Sequence, residues 1–197
     1  MPQTTSLLLS GALMGLALFL GLTVSPPVKA NMTCHVSDAE HGRLEFTGAQ
    51  ESSSFTGRFE EFFVEYCMPE DKPEDGRIRV TVETGSANTR NRDRDQALEQ
   101  EEFFHVSEFP EARWESDSIE SVDDGFRASG VLKIRDVEHE VPVDFTLETS
   151  DTGWRMAGGT EVRRLDFQVG TGDDDLEDTE FIRNEVEVSF ELDLKPE

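Results

Sequence analysis

Apolar and polar residues alternate without a slip from Val186 to Leu194, with Val188, Phe190 and Leu192 on one side and Glu187, Ser189, Glu191 and Asp193 on the other. Successive side chains leave opposite faces of a strand, so period two predicts one dry face and one wet one. The same rhythm recurs over 34–47 (with a break near His41-Gly42), 59–68, 78–82, 112–122, 126–134, 141–147 and 154–167. Turn signals separate these runs: the proline- and charge-rich 69–76, Asp123-Asp124-Gly125 and Asp151-Thr152-Gly153. Over 94–106 the period changes and Gln, Ala, Leu and Glu replace β-branched residues, which predicts one short helix or helical turn.

About eight strands with short connections predict an all-β fold, an antiparallel up-and-down barrel with a short helical insert. The polar faces carry Glu65, Asp144, Glu148, Glu187, Glu191 and Asp193, too charged to pack on a second sheet. Closing the sheet on itself satisfies the apolar side and removes exposed edges. The inward row then holds Phe46, Phe59, Tyr66, Trp114, Phe126, Phe145, Trp154 and Phe190, with Phe167 where the seventh run ends. Ala128, Gly130 and Gly158 are interleaved with them. Small residues beside large ones either let side chains interdigitate or leave room along the axis for a long apolar ligand; an eight-stranded barrel is wide enough for both.

The N-terminus adds an export signal. Residues 7–24 are almost wholly apolar and Val28-Lys29-Ala30 suits a signal peptidase, so residues 1–30 read as a signal peptide and 31–197 as one domain. A retained anchor is the alternative, since eighteen apolar residues could just span a bilayer. The mature domain sets 17 basic residues against 43 acidic ones, a net of −26. Such a charge excludes nucleic acid and anionic membrane surfaces as natural partners. It does not signal disorder, because fourteen Phe are interleaved with the acids. A surface rich in Asp and Glu, in a chain where only four of eighteen basic residues are Lys, suits a salty or alkaline exterior, and stability is expected to fall on dialysis into low salt.

Candidate chemistry is sparse. Two cysteines in an exported chain suggest a disulfide between Cys34 and Cys67. Strand parity sets Cys34 with Val36 and Cys67 opposite Val64 and Tyr66, so a bridge needs a bulge or a frayed end. His35, His41, His105 and His139 lack metal-ligand spacing and read as surface or loop residues; no metal is expected. The acidic run 173–178 lacks the alternation of a calcium loop. Arg94-Asp95 could receive a polar head group at a barrel mouth, or form an ion pair that fixes the helical segment. Arg164 with Asp166 reads as a buried, mutually satisfied pair. No nucleophile elbow, phosphate loop or dinucleotide fingerprint is present.

Several short motifs, in order, resemble the YceI-like family of exported proteins. Gly57-Arg58-Phe59-Glu60-Glu61-Phe62 resembles its G-x-F-x-x-F, and Asn91 to Leu98 its N-x-x-R-D-x-x-L. Phe109-Pro110-Glu111-Ala112-Arg113-Trp114-Glu115-Ser116 is similar to F/Y-P-x-A-x-F-x-S. Gly130-Val131-Leu132-Lys133-Ile134 with Val141-Pro142-Val143, and Arg164-Leu165-Asp166-Phe167-Gln168-Val169-Gly170, match the later motifs. The chain departs from the pattern at Cys34, where an aromatic is usual, at Ala97, where His is usual, and at Gln168, where Gly is usual.

The resemblance implies a periplasmic, lipocalin-like barrel that holds a polyisoprenoid or similar long amphipathic lipid, such as an isoprenoid quinone or prenyl phosphate, for transport, storage or sequestration. It implies no catalytic residue and no cofactor beyond the lipid. The expected ligand-binding set is the inward aromatics Phe46, Phe59, Tyr66, Trp114, Phe126, Phe145, Trp154, Phe167 and Phe190, with Arg94 and Asp95 near the head group. Transient contact with membrane proteins and a monomeric or homodimeric state complete the expectation. The alternatives are an enzyme or accessory factor acting on an isoprenoid lipid, and a stress-related barrel with a filled core.

Overall fold

The computed structural model describes residues 32–69 and 72–197, so the expected signal peptide lies outside the described residues. The described residues form twelve strands: β1 (Met32–Asp38), β2 (Gly42–Gln50), β3 (Ser53–Phe59), β4 (Phe62–Pro69), β5 (Arg77–Glu83), β6 (Ala87–Asn88), β7 (Glu111–Val122), β8 (Gly125–Ile134), β9 (Val137–Glu140), β10 (Val143–Ser150), β11 (Gly153–Arg163) and β12 (Glu185–Pro196), of which β3, β6 and β9 fall outside the alternating runs. Two short helices, α1 (Arg92–Leu98) and α2 (Asp174–Glu177), and a 3-10 turn at Arg164–Phe167 interrupt them.

Several of the twelve are halves of longer strands. β1 and β2 both run antiparallel to β12, β1 through Val36 opposite Lys195 and β2 through Phe46 opposite Val188, with a turn between them. β4 and β3 pair with β1 and β2 respectively. β9 and β10 hold one register on β8, and the gap spans Val141-Pro142, where proline has no N–H to give the ladder. The circuit β1-β4-β5-β7-β8-β10-β11-β12 closes through the β12–β1 pairing, an eight-stranded antiparallel barrel, and β2, β3 and β6 extend its wall at one end.

The turn after β1 corrects the expected parity. His35 and Ser37, not Cys34 and Val36, face inward, and both are buried. Cys34 therefore shares the outer face with Cys67, its direct cross-strand partner, and the two are joined by a disulfide with Cα atoms 3.9 Å apart. His35 also corrects the reading of the histidines as surface residues: it is 8% exposed inside the barrel.

The outer face is as acidic as the alternation implied, and its acids are matched across strands. Arg43 meets Glu191 at 2.6 Å, Arg155 meets Asp193 at 3.3 Å, and Arg79 lies between Glu65 and Glu115. Arg127 donates two hydrogen bonds to Asp144, at 2.6 and 2.7 Å, and holds that carboxyl below the usual carboxylate range. These are exposed pairs screened by solvent, so each serves register more than stability.

Candidate functional site

The barrel interior is divided along its axis. One end is filled. Tyr66, fully buried, donates its hydroxyl to the Pro73 carbonyl at 2.8 Å and meets Phe145 edge-on at 6.3 Å. Phe145 in turn stacks on Phe126 at 5.4 Å, and Leu194, opposite Trp154 in the ladder, is fully buried as well. This end is ordinary core.

The other end holds a partly enclosed chamber of about 250 Å³. Leu44 and Phe46 of β2, Phe59 of β3 and Val188 and Phe190 of β12 form one side. Val80 of β5, Trp114 of β7 and Leu132 of β8 form the other. Leu98 at the end of α1 and Phe103 and Phe104 after it, with Phe55 from the β2–β3 hairpin, border it at the end. Apart from Thr84, Thr160 and three arginines, every lining residue is apolar or glycine.

The insert is fixed by its polar residues. Asn91 caps α1, accepting from the Arg94 N–H at 3.1 Å, which starts the helix two residues before the expected position. Asp95 accepts from the Thr89 N–H and hydroxyl at 2.8 and 2.6 Å and pins α1 to the chain that follows β6. Arg94 does not pair with Asp95; its guanidinium lies over the Phe55 ring, 3.8 Å from the centroid. The ion-pair reading of Arg94-Asp95 is therefore corrected: the acid serves the fold and the arginine stacks on a chamber aromatic.

Arg164 is also not the ion pair expected with Asp166, which is exposed. Its side chain is buried and its five N–H groups all go to carbonyls: Arg183 at 3.1 Å, Val169 at 3.0 Å, Gly170 at 2.8 Å, Leu176 at 2.6 Å and Ile182 at 2.8 Å. A guanidinium has five donors, so its hydrogen-bonding capacity is used in full. Burial lowers its pKa. It thereby gathers the 168–184 segment over the chamber end. Gly170, at φ +73°, is the residue that lets the backbone approach that guanidinium. Gln168 takes the left-handed conformation too, at φ +56°, where the related motif has glycine.

The expected site residues thus divide into groups. Phe46, Phe59, Trp114 and Phe190 line the chamber. Tyr66, Phe126, Phe145, Trp154 and Phe167 are not part of its wall; Phe167 is buried against His139 at a ring distance of 5.1 Å. The small residues do not create the space either. A Cβ on Gly130 would meet the Trp114 indole at 2.6 Å, and a Cβ on Gly57 would strike the Phe46 ring, so large neighbours already fill those gaps. Phe55, Leu98, Phe103, Phe104 and Arg183 line the chamber without having been expected. The adjacent Phe103 and Phe104 in an otherwise polar segment were the one available signal.

Among the described residues, the only cluster with metal-ligand spacing is Cys34, Glu65 and Cys67, and its two cysteines are in the disulfide. No described helix is long and apolar enough to cross a membrane.

A family model, the YceI-like domain, matches residues 35–194. A UPF0312 protein of Shewanella denitrificans is 27% identical over 164 residues, covering 78% of this chain and 86% of the relative. Among solved structures, Burkholderia cenocepacia BcnA superposes with a TM-score of 0.73 at 22% identity, over 79% of this chain and 98% of that one. A polyisoprenoid binding domain from Saccharophagus degradans superposes with a TM-score of 0.63 at 14% identity, over 85% and 100% of the two chains. At these identities the structural matches speak for the barrel fold.

Proposed function

The chain belongs to the YceI-like family, and from that premise we propose that it is an exported binding protein whose barrel holds the tail of a long isoprenoid-type lipid. The observation that carries this reading is the chamber itself: about 250 Å³ of space walled by aliphatic and aromatic side chains at one end of an otherwise well-filled barrel. Apolar burial drives such binding at about 25 cal/mol per Å² removed from water. The Saccharophagus degradans neighbour, a polyisoprenoid binding domain, agrees with this choice of ligand.

Binding without turnover is the favoured reading, because no carboxylate, imidazole or thiol is among the described residues lining the chamber, and acid–base or nucleophilic catalysis draws on such groups. Release into the periplasm, carriage or storage of the lipid there, and transient docking to membrane proteins form the physiological side of the proposal. Solvent extraction of the purified protein followed by mass spectrometry tests it. The expected result is a prenyl-type lipid near one per chain; an extract empty of lipid, from protein that also fails to take up prenyl lipids, would overturn the reading.

A further inference from the structure

The strand that closes the barrel carries, on its outer face, a donor set that lipid binding leaves unused. Cys34 of β1 and Cys67 of β4 are joined and half-buried on the exterior, and neither lines the chamber. Glu65 is two residues before Cys67, so period two puts it on the same face, diagonal to Cys34. The two sulfurs and a Glu65 carboxylate oxygen all lie within 4.8 Å of one another. No other group of three His, Cys, Asp or Glu converges in this way among the described residues, in a chain with 43 acidic residues. Abundance of acid alone therefore does not account for it.

The backbone suits these groups to a metal once the sulfurs are parted. With bonds of about 2.3 Å in a tetrahedral shell, two thiolates on one zinc lie about 3.8 Å apart. Directly opposed residues of an antiparallel ladder hold their side chains close to that separation. The ladder keeps them there without the bridge, because β1 and β4 pair at seven positions, from Met32 with Pro69 to Asp38 with Phe63. Glu65 is oriented by Arg79, which bonds to it and also reaches Glu115 at 3.4 Å. A carboxylate has two oxygens, so one can meet a metal while the other keeps its arginine, the outer-shell support usual for such ligands. Arg77, directly across from Cys67 on β5, adds positive charge beside the two sulfurs.

We propose that Cys34, Glu65 and Cys67 form a redox-gated zinc site, closed while the disulfide stands and available when a dithiol reductant opens it. In the exchange the Cys34–Cys67 bond breaks, the two sulfurs of the reductant join, and two electrons and two protons pass to the cysteines. Zinc(II) then displaces both protons and takes the two sulfurs, one carboxylate oxygen and a water, with no change in its own oxidation state. Two thiolates with a hard carboxylate select zinc over copper(I), which favours sulfur ligands. His35 is not a ligand, since it faces the barrel interior. The metal replaces the covalent tie between the closing strand and β4, so β1 stays fastened in both redox states. The site is independent of what the chamber holds.

Zinc uptake by the purified protein tests this, measured by competition with a chromophoric chelator before and after reduction with a phosphine that is then removed. The expected result is about one zinc per chain in the reduced protein and none in the oxidised one, with affinity at least about tenfold weaker in Glu65→Gln. Cobalt(II) in place of zinc is expected to give thiolate-to-metal charge-transfer absorption that the oxidised protein lacks. Equal zinc uptake by the oxidised protein would mark the acidic surface as the binder and overturn the proposal. So would a reduced protein that keeps its β-sheet circular dichroism but takes up no zinc. Full affinity in Glu65→Gln would overturn the three-ligand assignment. Loss of the sheet on reduction would overturn the proposal as well, because the ladder then fails to hold the donors together.

Discussion

At the scale of single residues, the most consequential side chain is Arg164. Alternation placed it at an inward position and the neighbouring Asp166 suggested a carboxylate partner, yet the guanidinium bonds to five carbonyls supplied by segments up to nineteen residues away. Pattern could not show this, because carbonyls are present at every residue and leave no mark in the sequence. Arg164→Gln would leave at least three of those carbonyls without a donor, so the folded state is expected to lose about 3 kcal/mol or more in urea titration. A loss below about 1 kcal/mol would contradict the central role given to it. His35 is the second such residue. Desolvation lowers its pKa in the folded protein, with a smaller opposing effect from a backbone hydrogen bond at Thr33, and its Nδ1 has no partner. The unfolded chain therefore takes up the proton first as pH falls below about 6.5, and stability drops between that value and the lower folded pKa. Asp144, held low by Arg127, gives up its contribution only in the acid range below this window. Thermal melts at pH 7.5 and 5.5 are expected to differ for the natural protein and to converge in His35→Phe; an equal drop in both would contradict the assignment.

At the scale of elements, the main strands were legible, since period two survives wherever a strand has one wet face, whereas β3, the two-residue β6 and β9 were not among the alternating runs. Parity across β1 was not, because the turn at 39–41 resets which face points inward and nothing in the residue types marks the number of inserted positions. That reset is what puts Cys34 and Cys67 on one face. The disulfide has an architectural consequence: β1 closes the barrel on β12 through only two ladder positions, His35 with Pro196 and Val36 with Lys195. Fixing β1 to β4 covalently holds the closing strand in register. With a sequence separation of 33, the bridge is expected to contribute about 3–4 kcal/mol by chain entropy. Reduction, or the Cys34→Ser/Cys67→Ser pair, should lower the urea midpoint accordingly and raise hydrogen exchange at Val36 and Lys195 first. Uniform exchange along β12 with no change in stability would count against this view.

At the scale of the whole molecule, the sequence announced a barrel with an apolar interior but not how that interior is shared between core and cavity. All the inward aromatics have the same chemistry and the same parity, so Trp114 and Trp154 look alike in a row of letters. They differ in height along the axis: Trp154 is near the filled end with Leu194, while Trp114 lies against the chamber and donates its indole N–H to the Val141 carbonyl at 3.0 Å. The two ends differ in what borders them: Leu98, Phe103 and Phe104 of the insert line the chamber end, while tight hairpins such as Asp151-Thr152 turn at the other. Family membership then gives this cavity its meaning, and the distribution of charge, acidic outside and arginine-only at the chamber, gives it a polarity. The claim that joins these scales is that the chamber is where the lipid lies. Native mass spectrometry of the natural protein and of Val188→Trp, both incubated with a prenyl lipid, tests it most directly. The account predicts a one-to-one complex that Val188→Trp, still folded by circular dichroism, fails to form; retention of the lipid by that folded variant would contradict it.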